Sequence, residues 1–386
     1  MRQIIGKTNQ LKYNVMRTAV LEVIAKLSSG GAERFVVDLC NEMSLKRPVT
    51  LVVLQKLNPT WFYVNEISDR VKVISLEKSV GFSFKTCIRL IRLIFKEKPV
   101  VVHTHLSALY YAFIAAFLFH WRIRFLHTLH NDAIPEAENK FGIWVRKILF
   151  YLKLVIPVTI SEKSQESFNK LYRCRSVMIY NGRKISYVYD KELAAQWKQY
   201  KISANTTVLL NVASVQKSKN QLLLAKSVQR LINKGYDLTL LIIGRIVDTS
   251  IANQINDLGE NRIFLLGERI NPRTYMILAD AFCLSSLYEG MPITLIEAFS
   301  VGLIPVCTPV GGINNMIADE KNGFLAQSLD EEDYVRVLEK FLNLDEEGKN
   351  KMKEEAKQSY QSYTMEKCLL NYENIMFCKN YATEKN

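Results

Sequence analysis

The stretch TAVLEVIAKLSSGGAERFVVDLCNEM, residues 18–43, decides the fold class. Its first eight residues are mostly apolar, which is typical of a strand buried on both faces. A Ser-Ser-Gly-Gly turn follows at 28–31, and apolar residues at helical spacing then predict a helix over 32–43. A strand that leads through a glycine turn into a helix is the first part of a βαβ unit. The stretch therefore predicts a parallel sheet.

The same alternation of apolar strands and helical spacers continues along the chain. In the first half we predict further strands over residues 49–54, 71–76, 100–103 and 125–129. In the second half we predict strands over 208–212, 238–243, 263–265, 281–284 and 304–307, with helices over 221–233 and 293–301. These patterns predict an α/β protein with two doubly wound, Rossmann-like domains that face a cleft, where ligands bind beyond the carboxyl ends of the strands.

The domain boundary is expected near residues 181–189, where Asn-Gly breaks the pattern and polar helical sequence follows. We predict an amino-terminal domain over residues 1–184 and a carboxy-terminal domain over 185–365. A helix over 366–386 is expected to pack back on the amino-terminal domain.

Composition excludes several classes of protein. Hydrophobic residues make up 48% of the 386 residues and charged residues 23%, as in an ordinary globular chain. The seven cysteines are scattered without a CxxC pair, which favours reduced thiols in the cytoplasm over a disulfide framework. Residues 1–17 are polar and basic and do not form a secretory signal. The longest weakly polar run, 106–119, is shorter than the roughly 17–25 residues of a spanning helix. We therefore expect a cytoplasmic protein that is not integral to a membrane.

The formal net charge of +13 is concentrated in the first half. Residues 1–187 contain 29 Lys and Arg against 13 Asp and Glu, whereas the remainder contains 22 against 25. Segments 82–96 and 140–153 mix basic and apolar residues at helical spacing, as helices that lie in lipid headgroups do. We expect this domain to bind an anionic membrane surface; the alternative is a lysine-rich soluble surface with each helix packed on a sheet. No nucleic-acid-binding motif is present, so no nucleic-acid partner is expected.

The strongest chemical signal is SSLYEGMPITLIEA, residues 285–298, which runs from the end of a predicted strand into a helix. Gly290 permits close backbone approach, and Pro292 suits a first helical turn. The N–H groups of residues 293–295 can then point at an anion, assisted by the helix dipole.

Two acids flank this anion site. Glu289 precedes the helix and Glu297 lies about two turns along it, so they address different parts of one extended ligand. Acids beside a phosphate site make sense if they accept hydrogen bonds from hydroxyls. A sugar on one side of a diphosphate and a ribose on the other would supply those hydroxyls.

The Glu289-x7-Glu297 pair, in its Glu-Gly-Met-Pro context, resembles the retaining glycosyltransferases of the group 1 class (family four), which have two Rossmann-like domains in the arrangement called GT-B. The resemblance extends over residues 18–377. Weaker marks fall in the family's order: GGAER at 30–34, VHTH at 102–105, TLH at 128–130, ISE at 160–162, YNG at 180–182, KN at 219–220, GG at 311–312 and NG at 322–323.

The resemblance implies roles for individual residues. The donor-binding set would be Gly30, Gly31, Lys219, Gly290, Met291, Pro292, Ile293, Thr294, Leu295 and Glu297. Lys219 would bind the diphosphate, Glu297 the ribose hydroxyls, and Glu289 the transferred sugar. His130 would lie beside the reacting sugar, and we take His130 and Glu289 as the catalytic candidates. His105 would line the same cleft, and Asn181 would belong to the cleft or the acceptor site.

All five histidines lie between residues 103 and 130. His-x-His at 103–105 puts two rings on one face of a strand, where a metal could bind, but no carboxylate or cysteine companion is obvious. We therefore expect no metal and no other cofactor. Packed or hydrogen-bonded histidine remains the alternative for His103, His120, His127 and His130.

Two positions depart from the family pattern. The arginine that the family usually has five residues before the lysine is Ser214 here, and the usual Gly-x-Gly after the strand at 238–243 is Gly244-Arg245-Ile246. Lys217 or Arg245 are candidates for the missing cation, although lysine does not bind phosphate in a bidentate manner.

The resemblance implies transfer of a hexosyl or N-acetylhexosaminyl group, with retention, from a nucleotide-diphosphate sugar to a glycan acceptor. A lipid-linked saccharide at the inner face of the cell membrane would suit the basic domain, in the biosynthesis of a bacterial capsule, O-antigen or exopolysaccharide. Two alternatives stay open: a sugar-nucleotide epimerase on the same fold, and a weakly active or non-catalytic partner subunit, which Ser214 suggests.

Overall fold

The computed structural model describes residues 20–133, 136, 140–185, 189–258, 261–269 and 271–378. The predictions for residues 1–19, including the missing secretory signal, lie outside the described residues. Within the described residues, no helix combines the length and apolar character needed to cross a bilayer.

The first sheet is built from parallel strands in the order β3-β2-β1-β4-β5-β6-β7. The strands are β1 (Val20–Ile24), β2 (Val49–Gln55), β3 (Val71–Lys78), β4 (Val101–His105), β5 (Arg124–Thr128), β6 (Ile156–Thr159) and β7 (Val177–Met178). The helices are α1 (Gly31–Met43), α2 (Phe84–Glu97), α3 (Leu109–Phe119), α4 (Lys140–Tyr151) and α5 (Glu162–Tyr172). The strand order reverses between β1 and β4, which is where such sheets bind ligands.

The second sheet is also parallel, in the order β10-β9-β8-β11-β12-β13. Its strands are β8 (Thr207–Val212), β9 (Leu238–Ile243), β10 (Ile263–Gly267), β11 (Ala281–Leu284), β12 (Ile304–Cys307) and β13 (Phe324–Leu325). The helices of this part are α6 (Lys191–Gln196), α7 (Gln221–Asn233), α8 (Thr249–Leu258), α9 (Pro272–Leu278), α10 (Ile293–Val301), α11 (Ile313–Met316), α12 (Glu331–Leu342), α13 (Glu346–Tyr360) and α14 (Met365–Phe377). Its strand order reverses between β8 and β11, so both sheets present a ligand-binding edge.

The two sheets share part of their hydrophobic core. One buried cluster contains residues of α1, such as Phe35, together with residues of α10, such as Leu295. Separate clusters cover the outer face of each sheet. The α/β class and the two doubly wound sheets that the sequence predicts are confirmed.

The chain crosses between the sheets at two adjacent places. Arg183 and Thr364 form a backbone bridge, and the Arg183 N–H donates to the Tyr363 carbonyl at 2.9 Å. After the second crossing α14 packs on α1, with the Tyr372 ring 5.9 Å from that of Phe35. Residues 379–386, the end of the predicted terminal helix, lie outside the described residues, and the proposed domain limits at 184 and 365 stay predictions.

Candidate active site

A cleft of about 670 Å³ lies between the carboxyl ends of the two sheets. Of the residues singled out from the sequence, those that line it are Gly30, Gly31, His130, Asn181, Lys219, Glu289, Gly290, Met291, Pro292, Ile293, Thr294 and Glu297. They come from loops after β1, β5, β8 and β11 and from the first chain crossing, so the two sheets together build one site.

Two helices begin at this cleft from opposite sides. A Cβ atom placed on Gly31, at the start of α1, would lie 3.6 Å from Cγ1 of Ile293, at the start of α10. The N–H groups of Ile293 and Thr294 have no hydrogen-bond partner among the described residues. Both helix dipoles therefore make this part of the cleft favourable for an anion.

The start of α10 has fewer free amides than the sequence predicted. The Leu295 N–H donates to the Pro292 carbonyl at 3.2 Å, and the Leu295 side chain is fully buried. Leu295 is therefore not available to a ligand, and two successive amides remain instead of three. Pro292 is the residue before α10 and not part of its first turn.

The glycine turn before α1 leaves space for a carboxylate. Gly30 has an extended conformation that any residue adopts, but a Cβ atom there would collide with the Glu33 carboxylate. Glu33 accepts a hydrogen bond from the Ser28 hydroxyl at 2.9 Å, and burial raises its pKa. The start of α1 thus carries its own acid, which the sequence analysis missed.

Lys219 and Glu289, to which the sequence analysis gave separate partners, form an ion pair. The Lys219 Nζ lies 2.7 Å from Glu289 Oε1, and the Ser286 hydroxyl donates to the same oxygen at 2.7 Å. The lysine expected at the diphosphate and the acid expected at the sugar are therefore neighbours, as they must be if both act on one bond.

The loop that carries Glu289 meets the first half of the chain through backbone. A Cβ atom on Gly290 would collide with the carbonyl oxygen of His130, so only glycine allows this approach. Asn181 is buried and donates from Nδ2 to the Met291 carbonyl at 3.1 Å. These contacts hold Glu289 and His130 at the same part of the cleft.

Glu297 is bound by Arg183, a residue the sequence analysis did not single out. Arg183 Nε lies 2.7 Å from Glu297 Oε1, and its Nη1 lies 2.6 Å from Asp38 of α1. Asp38 in turn pairs with Arg34 at 2.5 Å. Because Arg183 sits at a chain crossing, the acid expected at the ribose is tied to the junction between the two halves.

Of Lys217 and Arg245, the two candidates for the cation missing at Ser214, Arg245 lies at the cleft. Ser214 and Arg245 both line the cleft, whereas Lys217 is not one of its lining residues. Arg269 and Arg273, from the segment after β10, also line it. Arg245 is therefore placed to supply positive charge near a bound diphosphate.

His105 does not line the cleft, which corrects the expectation from the sequence. It is fully buried behind His130, with Nδ1 3.0 Å from His130 Nε2. Its other nitrogen lies 2.8 Å from Oε2 of Glu22, a fully buried acid on β1. His103 lies against the same carboxylate at 3.0 Å. Glu22 is the carboxylate next to His103 and His105 that the sequence did not reveal. Its only sign in the sequence is a single acid inside an apolar strand.

Glu22, His103 and His105 are of metal-ligating types and lie close together. Their contacts of 2.8 and 3.0 Å are ordinary hydrogen-bond lengths, and all three side chains are fully buried. Hydrogen bonding accounts for the geometry. The expected absence of a metal and of other cofactors stays a prediction.

The pKa values within this cluster follow from burial and from the neighbouring charges. Burial raises the pKa of Glu22, but His103 and His105 outweigh it and lower the value to about 2. Burial lowers the pKa of His105 to about 4. Burial, together with the nearby His105, holds the pKa of His130 well below its usual range. At neutral pH the acid is ionised and these two histidines are neutral.

A second buried acid holds the backbone at His130. Glu136 Oε2 accepts hydrogen bonds from the N–H groups of His130 at 2.5 Å and Asn131 at 2.9 Å. Arg146, fully buried on α4, lies 3.5 Å from the other carboxylate oxygen. His130 is thus fixed through both its ring and its backbone.

Two doubly wound halves that face a common cleft form the arrangement called GT-B. Residues 29–186 match the family model Glycosyltransferase Family 4, and residues 194–359 match Glycosyl transferases group 1. The chain belongs to this family of group 1 glycosyltransferases and is an enzyme of that type.

Two bacterial relatives act on lipid-linked saccharides according to their names. The N-acetylgalactosamine-N,N'-diacetylbacillosaminyl-diphospho-undecaprenol 4-alpha-N-acetylgalactosaminyltransferase of Campylobacter jejuni is 26% identical over 86% of this chain and 93% of its own length. The UDP-Gal:alpha-D-GlcNAc-diphosphoundecaprenol alpha-1,3-galactosyltransferase of Escherichia coli is 27% identical over 74% of this chain and 78% of its own length.

Among solved structures, Anabaena Alr3699/HepE in complex with UDP and glucose has a similar fold. Its TM-score is 0.78 at 17% identity, over 93% of this chain and 99% of that one. At this identity the likeness extends to the fold alone.

Proposed function

We propose that the chain transfers a hexose or N-acetylhexosamine from a UDP-sugar to a saccharide linked to a lipid diphosphate, in the assembly of a bacterial cell-surface polysaccharide. The observation that carries the proposal is the convergence of two helix starts, Lys219, Glu289 and His130 on one cleft. The names of the Campylobacter and Escherichia relatives support a sugar donor and a lipid-diphosphate acceptor of this kind.

The donor diphosphate would lie where positive charge is concentrated. The free amides of Ile293 and Thr294 and the side chains of Lys219 and Arg245 would stabilise the charge that grows on the departing diphosphate. The bond that breaks joins the anomeric carbon to the phosphate oxygen, and the transition state has oxocarbenium character. Glu297 would accept hydrogen bonds from the ribose.

We propose that the anomeric configuration is retained. Glu289 is held by Lys219 and Ser286, which suits an acid that orients a sugar rather than one that attacks its anomeric carbon. The acceptor hydroxyl would attack from the face that the diphosphate leaves. The departing phosphate oxygen would take the proton of that hydroxyl.

The enzyme would act at a membrane surface, the inner face of the cell membrane. Exposed aromatic residues lie on or within two residues of the neighbouring helices α2, α3 and α4 and are here called the aromatic face: Phe82, Phe84, Phe95, Trp121, Phe141 and Trp144. Exposed Lys85, Lys96, Lys140 and Lys147 lie on α2 and α4. Aromatic rings next to lysines suit an anionic bilayer, where each cation contributes about 1 kcal/mol.

The test is a matrix of UDP-glucose, UDP-galactose, UDP-N-acetylglucosamine and UDP-N-acetylgalactosamine against undecaprenyl-diphosphate-linked monosaccharides. We expect one donor to add one sugar mass, with the α configuration of the donor retained when the product is examined by NMR. Each donor is also incubated without acceptor, because an epimerase would still change the sugar. Absence of product with every pair, or an altered donor without acceptor, would contradict the proposal.

A further inference from the structure

Three side chains link the buried centre of the first sheet to the cleft. Glu22 lies on β1, His105 ends the neighbouring strand β4, and His130 follows β5. Glu22 Oε2 is 2.8 Å from His105 Nε2, and His105 Nδ1 is 3.0 Å from His130 Nε2. Glu22 and His105 are fully buried, whereas His130 lines the cleft. They form a continuous chain of hydrogen bonds that ends at the site.

The position of each proton in this chain follows from the chemistry of the groups. An ionised carboxylate only accepts, so the His105 Nε2 beside Glu22 must carry a proton. A neutral imidazole has one N–H and one bare nitrogen, which makes His105 Nδ1 an acceptor. His130 Nε2, 3.0 Å away, must then donate to it. Nδ1 of His130 is left bare, because the hydrogen bond that the described residues give this ring is made by its Nε2.

A second branch of the network starts at the same carboxylate. His103 Nδ1 lies 3.2 Å from Glu22 Oε1 and donates to it. His103 Nε2 lies 2.8 Å from the Thr128 hydroxyl oxygen, which lies 2.8 Å from the Tyr372 hydroxyl oxygen. Reversing the first branch would place a bare His105 Nε2 against the Glu22 carboxylate, where two lone pairs repel each other.

We propose that Glu22 and His105 are positioning residues that fix the tautomer of His130, so that its Nδ1 accepts a hydrogen bond from a hydroxyl of the transferred sugar. A bare nitrogen attracts a hydroxyl proton and repels a phosphate oxygen. The buried chain therefore makes this end of the cleft select sugar, while Lys219 and the start of α10 select phosphate. The sugar contact rests on the proposed function, but the proton assignment does not.

The test combines NMR with kinetics. Long-range ¹H–¹⁵N correlation spectra of the ¹⁵N-histidine-labelled enzyme identify which ring nitrogen is protonated, and His130→Ala assigns the signal. We expect His130 to carry its proton on Nε2 in the wild-type enzyme without ligand. In His105→Phe, which keeps an aromatic ring but removes the acceptor, we expect both tautomers of His130. We also expect kcat to fall by about tenfold, the value of one hydrogen bond made in the transition state, with UDP affinity unchanged.

Tyr372→Phe is the matched control, because it removes a hydroxyl from the other branch of the same buried network. It should keep the wild-type tautomer and kcat. A wild-type His130 protonated on Nδ1 would overturn the proposal even if His105→Phe failed to fold, as would a folded His105→Phe with wild-type tautomer and kcat. If His130 carries its proton on Nε2 but the enzyme transfers no sugar, the positioning role of Glu22 and His105 stands and only the proposed function is refuted.

Discussion

At the scale of single residues, the ion pair between Lys219 and Glu289 would have to rearrange when a nucleotide-sugar donor binds. The two groups are 2.7 Å apart, with 22% and 9% of their side chains exposed. In the proposed function, the donor diphosphate would compete with Glu289 for the lysine, and the transferred sugar would contact the carboxylate. The pair therefore links donor binding to the placement of the acid.

Lys219→Ala is expected to weaken UDP binding by about 10- to 100-fold, because it removes a charge-assisted hydrogen bond to phosphate. Isothermal titration with UDP measures this. Lys217→Ala is the matched control, since Lys217 belongs to the same short turn of helix but is not one of the residues that line the cleft. UDP affinity of Lys219→Ala equal to that of the wild type would mean that the lysine does not bind the diphosphate.

The sequence predicted the cleft residues that belong to a contiguous motif and missed their partners. Residues 289–294 could be placed because a strand end, a glycine and a helix start occur in succession. Arg183 and Glu22 could not, because each acts on a residue more than 80 positions away in the chain. Leu295 was assigned wrongly because periodicity does not reveal that its amide bonds to Pro292.

At the scale of secondary structure, α4 joins two environments. Arg146 is fully buried on one side of it, close to the Glu136 that holds the backbone of His130. Phe141 and Trp144 are exposed on the other side with their rings 6.1 Å apart. The helix therefore links the surface that would face lipid, through Arg146 and Glu136, to the backbone of His130.

The double variant Phe141→Ser/Trp144→Ser is expected to lower the affinity for vesicles of half phosphatidylglycerol by about tenfold or more, because less apolar surface enters the headgroup region. Co-sedimentation at low salt measures the change, and high salt should release the wild type. Tyr189→Ser, at an exposed aromatic in the second half, is the control. Equal sedimentation of all three proteins would argue against the aromatic face as the lipid contact.

Strand length is one reason why some strands could be predicted from the sequence and others could not. The predicted strands of both sheets are confirmed, because each is an apolar run bounded by turns, as 238–243 is for β9. The strands β6, β7 and β13 were not predicted. The strands β7 and β13 span two residues each, too few for an alternating or continuous apolar pattern to register. Length does not explain why β6 was missed, because it spans four residues, as do the predicted strands β11 and β12.

At the scale of the whole molecule, buried histidines make stability depend on pH. Burial lowers the pKa of His105 to about 4 and holds the pKa values of His127 and His130 well below the usual range. Their surroundings include the charged groups Glu22, Glu136 and Arg146. In the unfolded chain these histidines titrate near pH 6.5. Below that pH the unfolded state therefore binds more protons than the folded state.

The free energy of unfolding is expected to fall as the pH is lowered from 7.5 to 5, by up to about 1.4 kcal/mol per pH unit for each of the three histidines. Glu136 offsets part of this fall, because burial raises its pKa and the folded state then takes up its proton first. Urea unfolding at a series of pH values measures the slope. His120→Ala, at an exposed histidine, should not change it. A stability that rises on acidification would contradict the assignment of neutral buried histidines.

The placement of α14 has a consequence for how the protein is made. Tyr372 on this helix closes the buried network around Thr128 and His103, although both of those residues leave the ribosome more than 240 positions earlier. Domains generally fold as units while the chain emerges, the amino-terminal part first. Here one side of α1 stays uncovered until residues 365–377 have been made. A chain that stops before residue 365 would therefore leave the ribosome with an apolar surface open to aggregation and to proteases.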